Sequence, residues 1–520
     1  MKKNLVVLDT TFRDGAQRIW AKITNIKDVL KAATAISELG VSYLELGFAN
    51  SRRASRRLIQ EALKLGLKAK IAAFGRTHPE DVKNIIKLGV PVGVLVGKTR
   101  RRDVEKSLKQ NPDDYLQTIR DSIRTLVEAG LEVIFDAEHA FDAWLNGDRD
   151  YAEKVLLAAT EAGATWIVLC DTNGGINFLE VTQVITEVSK IIPLDRLGVH
   201  FHDDRRRASA LSELAWELGI NHIQGTIGTI GERVGNAPIT TFLPDLVWEE
   251  QGLNNFPLNS LQNLCSIYVL VCRALNIKPN PFEPWVGENA FATKAGMHTD
   301  GHEKDPGSYF HAPPKFVGNK ERTELAEGSG ASNLVTVAKE FGLTIARGLA
   351  KKFMDEFNQL CDEGKDLGQA RASFYLWLLG KLGELPPLPK FKKWRTWDEK
   401  IGRQAIQSEA SLTITVAEEK ILVNAEGAGG VDGLNQALRR ALLPYFPFLE
   451  EVRLADFRPE IFNFELDTAA KVRVIATFTD EKESWTVMGV NADFLEAAWE
   501  ALWDAYCYRI VKEKEKEEKQ

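Results

Sequence analysis

Cysteine is scarce in this sequence: five in 520 residues (Cys170, Cys265, Cys272, Cys361 and Cys507), scattered and with no CxxC pair. That excludes a disulfide framework or a cysteine-rich zinc site and points to reduced thiols in a cytoplasmic protein. No apolar run approaches the ~18 residues of a membrane span. The stretch Leu5-Val6-Val7-Leu8 behind Met1-Lys2-Lys3-Asn4 is too short for a signal-peptide core. An excess of positive charge is also missing. Lys and Arg number 66 against 73 Asp and Glu, a net charge of −7, so there is no electrostatic footprint for nucleic acid or an anionic membrane. The basic clusters at Arg52, Arg53, Arg56 and Arg57 and at Arg205 to Arg207 are local and diluted by acids. No repeat stands out beyond a β/α rhythm. The remaining composition, 44% hydrophobic and 27% charged, is that of a globular chain with room for two to four domains at ~150 residues each.

That rhythm fills the first half. Apolar, β-rich runs occur at Leu5–Thr11, Tyr43–Phe48, Ala69–Phe74, Val92–Val96, Glu132–Asp136, Trp166–Cys170, Leu197–Phe201 and His222–Thr226. Most have the composition of strands buried on both faces. Amphipathic helical patterns such as Ile26–Leu39 and Tyr115–Ala129 lie between them, and several end at a glycine (Gly40, Gly130, Gly163) suited to a left-handed cap. Eight β-then-α units in ~250 residues predict a closed (β/α)8 TIM barrel. The open doubly wound alternative would bind a dinucleotide through a GxGxxG turn after the first strand. The chain has Asp9-Thr10-Thr11-Phe12-Arg13-Asp14-Gly15 there instead.

Beyond Gly252 the pattern becomes helical and irregular, with an amphipathic helix expected at Asn259–Leu275. A proline- and tryptophan-rich linker at Leu385–Trp397 marks a boundary. An α+β pattern follows: strands at Ser411–Val416 and Lys420–Val423, a glycine turn at Gly427–Gly433, a helix at Leu434–Leu443, strands near Val452–Phe457 and Lys471–Phe478, and a helix at Ala492–Ile510. The expected organisation is a catalytic barrel over 1–275, linker subdomains over 276–400, an α+β domain over 401–511 and a charged tail over 512–520, frayed or disordered.

In such a barrel, chemistry collects where strands end at the C-terminal face. Polar residues following the apolar runs are Arg13 and Asp14, Asp136 and Glu138, Asp171 to Asn173, His200-Phe201-His202-Asp203-Asp204, and Gly231-Glu232-Arg233-Val234-Gly235-Asn236. Residues i and i+2 of a strand share a face, so His200 and His202 point into the barrel mouth about 7 Å apart. With Asp14 they make a three-ligand set for a divalent metal, leaving positions open for substrate. The bland reading of the same pair is hydrogen bonding within a polar barrel top. Arg13 reads either as a structural ion-pair partner or as the stabiliser of a developing oxyanion. Glu138 reads either as a strand-end acid in a salt bridge or as a general base.

The run Asp9-Thr10-Thr11-Phe12-Arg13-Asp14-Gly15-Ala16-Gln17 resembles the signature of the metal-dependent 2-isopropylmalate, homocitrate and citramalate synthases, its citramalate synthase-like branch above all. The resemblance continues through Phe135-Asp136-Ala137-Glu138-His139, Leu169–Gly175, the HxH pair, Gly231–Ala237, Phe291–His298 and Tyr309 to Asn319, into the terminal domain. It implies an acyltransferase that condenses acetyl-CoA with a 2-oxo acid to give a 2-alkylmalate. It also implies a divalent cation (Mg2+, Mn2+ or Zn2+) on Asp14, His200 and His202, with Asn236 near or in its shell. By the same resemblance Thr172 holds the substrate carboxylate, with Gln17 and Phe48 at the substrate site. Arg13 stabilises the alkoxide, and His298 is the acid/base group assisted by Glu138 and Tyr309. A homodimer and a regulatory and dimerisation role for the terminal domain follow too. An amino-acid effector is placed near Gly427–Gly433, where backbone amides at a helix start suit a carboxylate.

Several stretches depart from the family's pattern: Arg18-Ile19-Trp20, Gly47-Phe48-Ala49, Asp203 with Arg205 to Arg207, and Thr293. Phe48-Ala49, where a Trp-Pro pair is usual, suggests room for an acceptor larger than pyruvate, such as phenylpyruvate giving 2-benzylmalate. The alternatives are a related acyl-CoA lyase on the same barrel and a non-catalytic regulatory paralogue. The lyases carry a cysteine in the glycine loop, where this chain has Val234.

Overall fold

The computed structural model describes residues 4–50, 53–293, 309–323, 325–326, 328–400, 402, 407–480 and 483–519. His298 lies outside them. The chain divides into two compact units, residues 1–291 with 310–321, and 292–309 with 322–520.

The first unit is built on a closed barrel of eight parallel strands: β1 Val6–Asp9, β2 Tyr43–Phe48, β3 Lys70–Arg76, β4 Val92–Lys98, β5 Glu132–Glu138, β6 Trp166–Asp171, β7 Leu197–Phe201 and β8 His222–Gly225. Closure comes from β1 on β8, with Val6 opposite His222 and Asp9 opposite Gly225. The period of two sorts the side chains. Val7, Leu44, Ile71, Val133, Ile167 and Val199 join the larger core that includes the surrounding helices. Leu8, Tyr43, Phe74, Val94, Ile134, Trp166 and Val168 fill the barrel interior. The helix Ile26–Leu39 begins at an Asn25 cap, and Phe178–Val188 begins at a reciprocal Asn177/Glu180 capping box. Gly40, Gly130 and Gly163 all take the left-handed backbone that lets the chain turn from helix to strand (φ 110°, 83° and 102°).

In the second unit, helices Ala331–Glu340, Arg347–Asp362 and Arg371–Leu382 pack around Leu334, Phe353, Phe357 and Phe374. Two three-stranded antiparallel sheets follow, with helices Gly430–Leu442 and Phe494–Lys519. The expected linker is partly a strand. Residues Lys390–Glu399 pair along Gln407–Val416 as the sheet's edge, where their frequent lysines and tryptophans read as a protected edge rather than a loop. The expected glycine turn is shorter than its sequence suggests, because Gly430 already begins the helix. Ser484–Asn491 is an additional strand. The charged end continues the last helix through Lys519, held by the Arg509–Glu513 and Lys512–Glu515 ion pairs one turn apart and by Lys514 donating to the Pro387 carbonyl.

Candidate active site

The first motif builds its own platform. Asp9 ends β1 wholly buried and accepts from the Thr11 amide and hydroxyl at 3.2 and 2.7 Å. The Thr11 hydroxyl in turn accepts from the Ile227 amide, and Thr10 donates to the Gly225 carbonyl. The Thr10 carbonyl gathers the amides of Arg13, Asp14 and Gly15 into a turn. These bonds tie the loop to the end of β8 and present Arg13 and Asp14 over the barrel. Burial pushes the Asp9 carboxyl up to about 7, against the lowering effect of its Thr11 bonds.

Asp14, His200 and His202 converge there, each with a ligand atom within 4.8 Å of the others. The Asp14 carboxylate lies 3.4 Å from His200 Nε2 and 3.0 Å from an Arg13 guanidinium nitrogen. Burial works against charge on Asp14, yet Arg13 and then His200 hold its carboxyl well below the usual range. Burial, then His200, depresses His202 to about 3, so that ring is neutral. The His202 Nδ1 atom and both side-chain polar atoms of Asn236 are buried without a hydrogen-bond partner among the described residues. Asn236 reaches this spot because its backbone bridges to His202.

Sequence reasoning missed two members of the site. Glu45, fully buried on β2, takes the Arg13 Nε at 2.5 Å, and Gln224 on β8 links His200 to Asp136. Their signal was present: a charged or amide side chain interrupting an apolar strand on its inward parity. Burial raises the Glu45 carboxyl to about 7, with Arg13 opposing and Asp136 adding to the rise. Asp136 is raised for the same first reason. Three buried carboxyl groups, Asp14, Glu45 and Asp136, share one guanidinium, and their mutual repulsion adds to the upward pull on Glu45. That shortage of positive charge, the neutral imidazole and the orphaned atoms at His202 and Asn236 together fit a divalent cation.

The other expected residues are distributed as follows. The Thr172 hydroxyl accepts from the His139 amide at 2.9 Å, which leaves its proton to donate. Glu138 forms an ion pair with Lys98 at 2.5 Å. Phe48 packs edge-on against Phe74, whose ring lies 4.2 Å from the Arg13 guanidinium carbon. Gln17 is exposed at the end of the turn after Asp14. Tyr309 is exposed in the second unit.

The HMGL-like family profile matches residues 4–270, a homocitrate synthase post-HMGL domain-like profile 285–365, and a LeuA allosteric (dimerisation) domain profile 387–510. The (R)-citramalate synthase of Aquifex aeolicus is 34% identical over 99% of both chains. That of Sulfolobus acidocaldarius is 35% identical over 98% of each. The chain belongs to the citramalate synthase family. The 2-isopropylmalate synthase of Methanocaldococcus jannaschii is 28% identical over 98% of this chain and 95% of that one. Among solved structures, the hydroxymethylglutaryl-CoA lyase of Pseudomonas aeruginosa is similar at 17% identity and a TM-score of 0.47, covering 54% of this chain and 95% of that one.

As a citramalate synthase family member the chain is an acyltransferase of the 2-alkylmalate synthase type, a reading the relatives favour over the lyase and non-catalytic alternatives. Its departures near the HxH pair have local partners. Asp203 accepts from the Ala208 amide at the start of helix Ala208–Glu217, Asp204 forms a paired bond with Arg233, and Arg205 donates to the Gly175 carbonyl.

Proposed function

We propose that this enzyme condenses acetyl-CoA with pyruvate to give citramalate and CoA. The observation that carries this reading is the buried Asp14–His200–His202 cluster with Arg13 ion-paired to its carboxylate, in a chain related over its whole length to several (R)-citramalate synthases. Asp14, His200, His202 and Asn236 would hold the divalent cation, Mg2+, Mn2+ or Zn2+, which supplies a Lewis acid for the ketone and carboxylate of the 2-oxo acid. Arg13 neutralises the alkoxide that forms when the acetyl carbon bonds to the ketone carbon. Thr172 donates its hydroxyl to the acceptor's carboxylate. Glu138 takes part in moving the acetyl proton, with His298 as the acid/base group and Tyr309 assisting; Gln17 and Phe48 border the acceptor. Hydrolysis of the thioester then releases CoA and makes the reaction irreversible.

The Phe48–Phe74 edge contact forms an aromatic wall next to Arg13 and supports phenylpyruvate as the second acceptor to test. We further read the enzyme as a cytoplasmic homodimer joined through the LeuA-type domain, organised as catalytic barrel, linker subdomains and terminal domain within the bounds expected from sequence, and open to an amino-acid effector there. The test is release of free CoA from acetyl-CoA with Mg2+ or Mn2+ and a panel of pyruvate, 2-oxobutyrate, 2-oxoisovalerate, 2-oxoglutarate and phenylpyruvate. Metal-dependent release strongest with pyruvate is the expected result. Silence across the panel with metal bound overturns the reading.

A further inference from the structure

Lys98 ends β4 at the mouth of the barrel, in step with Val94 and Val96, which line the barrel interior. By the strand's period of two its side chain leaves on the same face. The register of β4 on β5 sets Lys98 directly opposite Glu138, which shares its own face with Ile134 and Asp136. Gly97 keeps that register free of steric conflict, since a Cβ there would stand 2.4 Å from the Phe135 ring. The Lys98 ammonium then meets a Glu138 carboxylate oxygen at 2.5 Å.

Glu138 is held on three sides. The Thr99 hydroxyl and amide donate to its backbone carbonyl at 2.5 and 3.3 Å. The next amide, that of His139, donates to the Thr172 hydroxyl at 2.9 Å from a left-handed backbone (φ 62°). Lys98 holds the side chain, and the Lys98 amide is itself anchored, donating at 3.1 Å to the Tyr115 hydroxyl of helix Pro112–Glu128. The ion pair adds little to the stability of the fold, because its side chains are 27% and 23% exposed and pairs open to water are worth little. Its value lies in placement. The charges nearby point the same way. Arg13 is already committed to Asp14 and Glu45, and Asp136 stands two residues before Glu138 on the same face. A further carboxyl group here adds to a crowd of acids, and Lys98 supplies the countercharge.

We propose that Lys98 is a positioning residue for the condensation: its ammonium fixes one Glu138 carboxylate oxygen and so aims the other at the acetyl group. The inference rests on the reading of Glu138 above, as a group that takes part in moving the acetyl proton, and extends it to what orients that carboxylate. Lys98 gains and loses nothing in the step. It acts through Glu138 and touches neither the metal ligands nor the 2-oxo acid.

The test compares the full-length enzyme with its Lys98→Met, Lys98→Arg and Glu138→Gln variants and with the Lys98→Met/Glu138→Gln double variant. Release of CoA gives kcat and the KM of the 2-oxo acid, trideuteroacetyl-CoA gives the isotope effect on kcat, and EPR titration gives Mn2+ affinity. Lys98→Met should lower kcat about 10²-fold, the scale of a misplaced proton-transfer group. The isotope effect should grow, because proton movement becomes the slow step, while the KM and the Mn2+ affinity stay near the parent values. Lys98→Arg keeps the charge and should recover part of the rate. The double variant should be no slower than Glu138→Gln alone, since groups that act as one unit do not add. A Lys98→Met variant with the parent's kcat, beside a slow Glu138→Gln variant, overturns the proposal and leaves the reading of Glu138 in place. A raised KM at unchanged kcat, a loss of Mn2+ affinity, or a double variant slowed by the full product of the single effects also overturns it. A Glu138→Gln variant as fast as the parent overturns the reading of Glu138 and the proposal with it.

Discussion

Gln224 sets the tautomer of His200. Its amide nitrogen donates to Asp136 at 2.7 Å, so its oxygen is the atom 2.9 Å from His200 Nδ1. That nitrogen carries a proton, which leaves Nε2 as the atom turned towards Asp14 and the proposed ligand cluster. Gln224→Leu removes this orientation while keeping the volume. Mn2+ affinity, measured by EPR titration, should fall about 10- to 100-fold, whereas an unchanged affinity would mean that Gln224 only fills space.

Asp14→Asn removes the one carboxylate of the proposed metal cluster and one of the two carboxylates paired with Arg13. We expect loss of stoichiometric Mn2+ binding together with loss of CoA release, and no recovery of activity at millimolar metal. Parent enzyme stripped with EDTA should regain activity when metal is restored.

Arg13→Lys keeps the charge but loses the planar fork that serves Asp14 and Glu45 together. The rate constant kcat should drop about 10²- to 10³-fold, with a smaller change in the KM of the 2-oxo acid. Glu45→Gln should lower kcat less, by loosening Arg13 rather than removing it. If the two variants behave alike, the guanidinium acts through position only.

His222 gives the barrel an acid-sensitive point. The ring is fully buried on β8 against Trp166, and neither nitrogen has a hydrogen-bond partner among the described residues. Burial depresses it to about 3, against 6.5 for a free imidazole. Above pH 6.5 both folded and unfolded chains hold it neutral, and its full contribution is present. As pH falls from 6.5 towards 3, only the unfolded chain takes up the proton, so stability drops by about 4 kcal/mol in total. His222→Phe should flatten this part of the stability–pH curve, as followed by urea denaturation between pH 4 and 8.

In the second unit, Arg509 and Asp480 form an ion pair at 2.9 Å with side chains 3% and 1% exposed. Asp480→Asn leaves a buried guanidinium with reduced compensation, although Glu513 still reaches it. Unfolding free energy should fall by about 2–4 kcal/mol, read as an earlier transition of the terminal domain.

The sequence by itself determined the barrel, because eight apolar runs and their inward parity leave few other arrangements that bury both faces of every strand. It also located Arg13, Asp14 and the two histidines, since strand ends and an i, i+2 spacing are local geometry. Only the tertiary structure decided who their partners are. Glu45 stands 32 residues from Arg13 and Asp136 stands 88 from Gln224, and barrel closure with a particular register brings each pair together. The same holds for Lys390–Glu399, whose edge position depends on the strand it pairs with, and for Lys98, which the register of β4 on β5 sets opposite Glu138. Periodicity is written into a chain by its neighbours; contact between distant residues is fixed by register and closure, which no local pattern encodes.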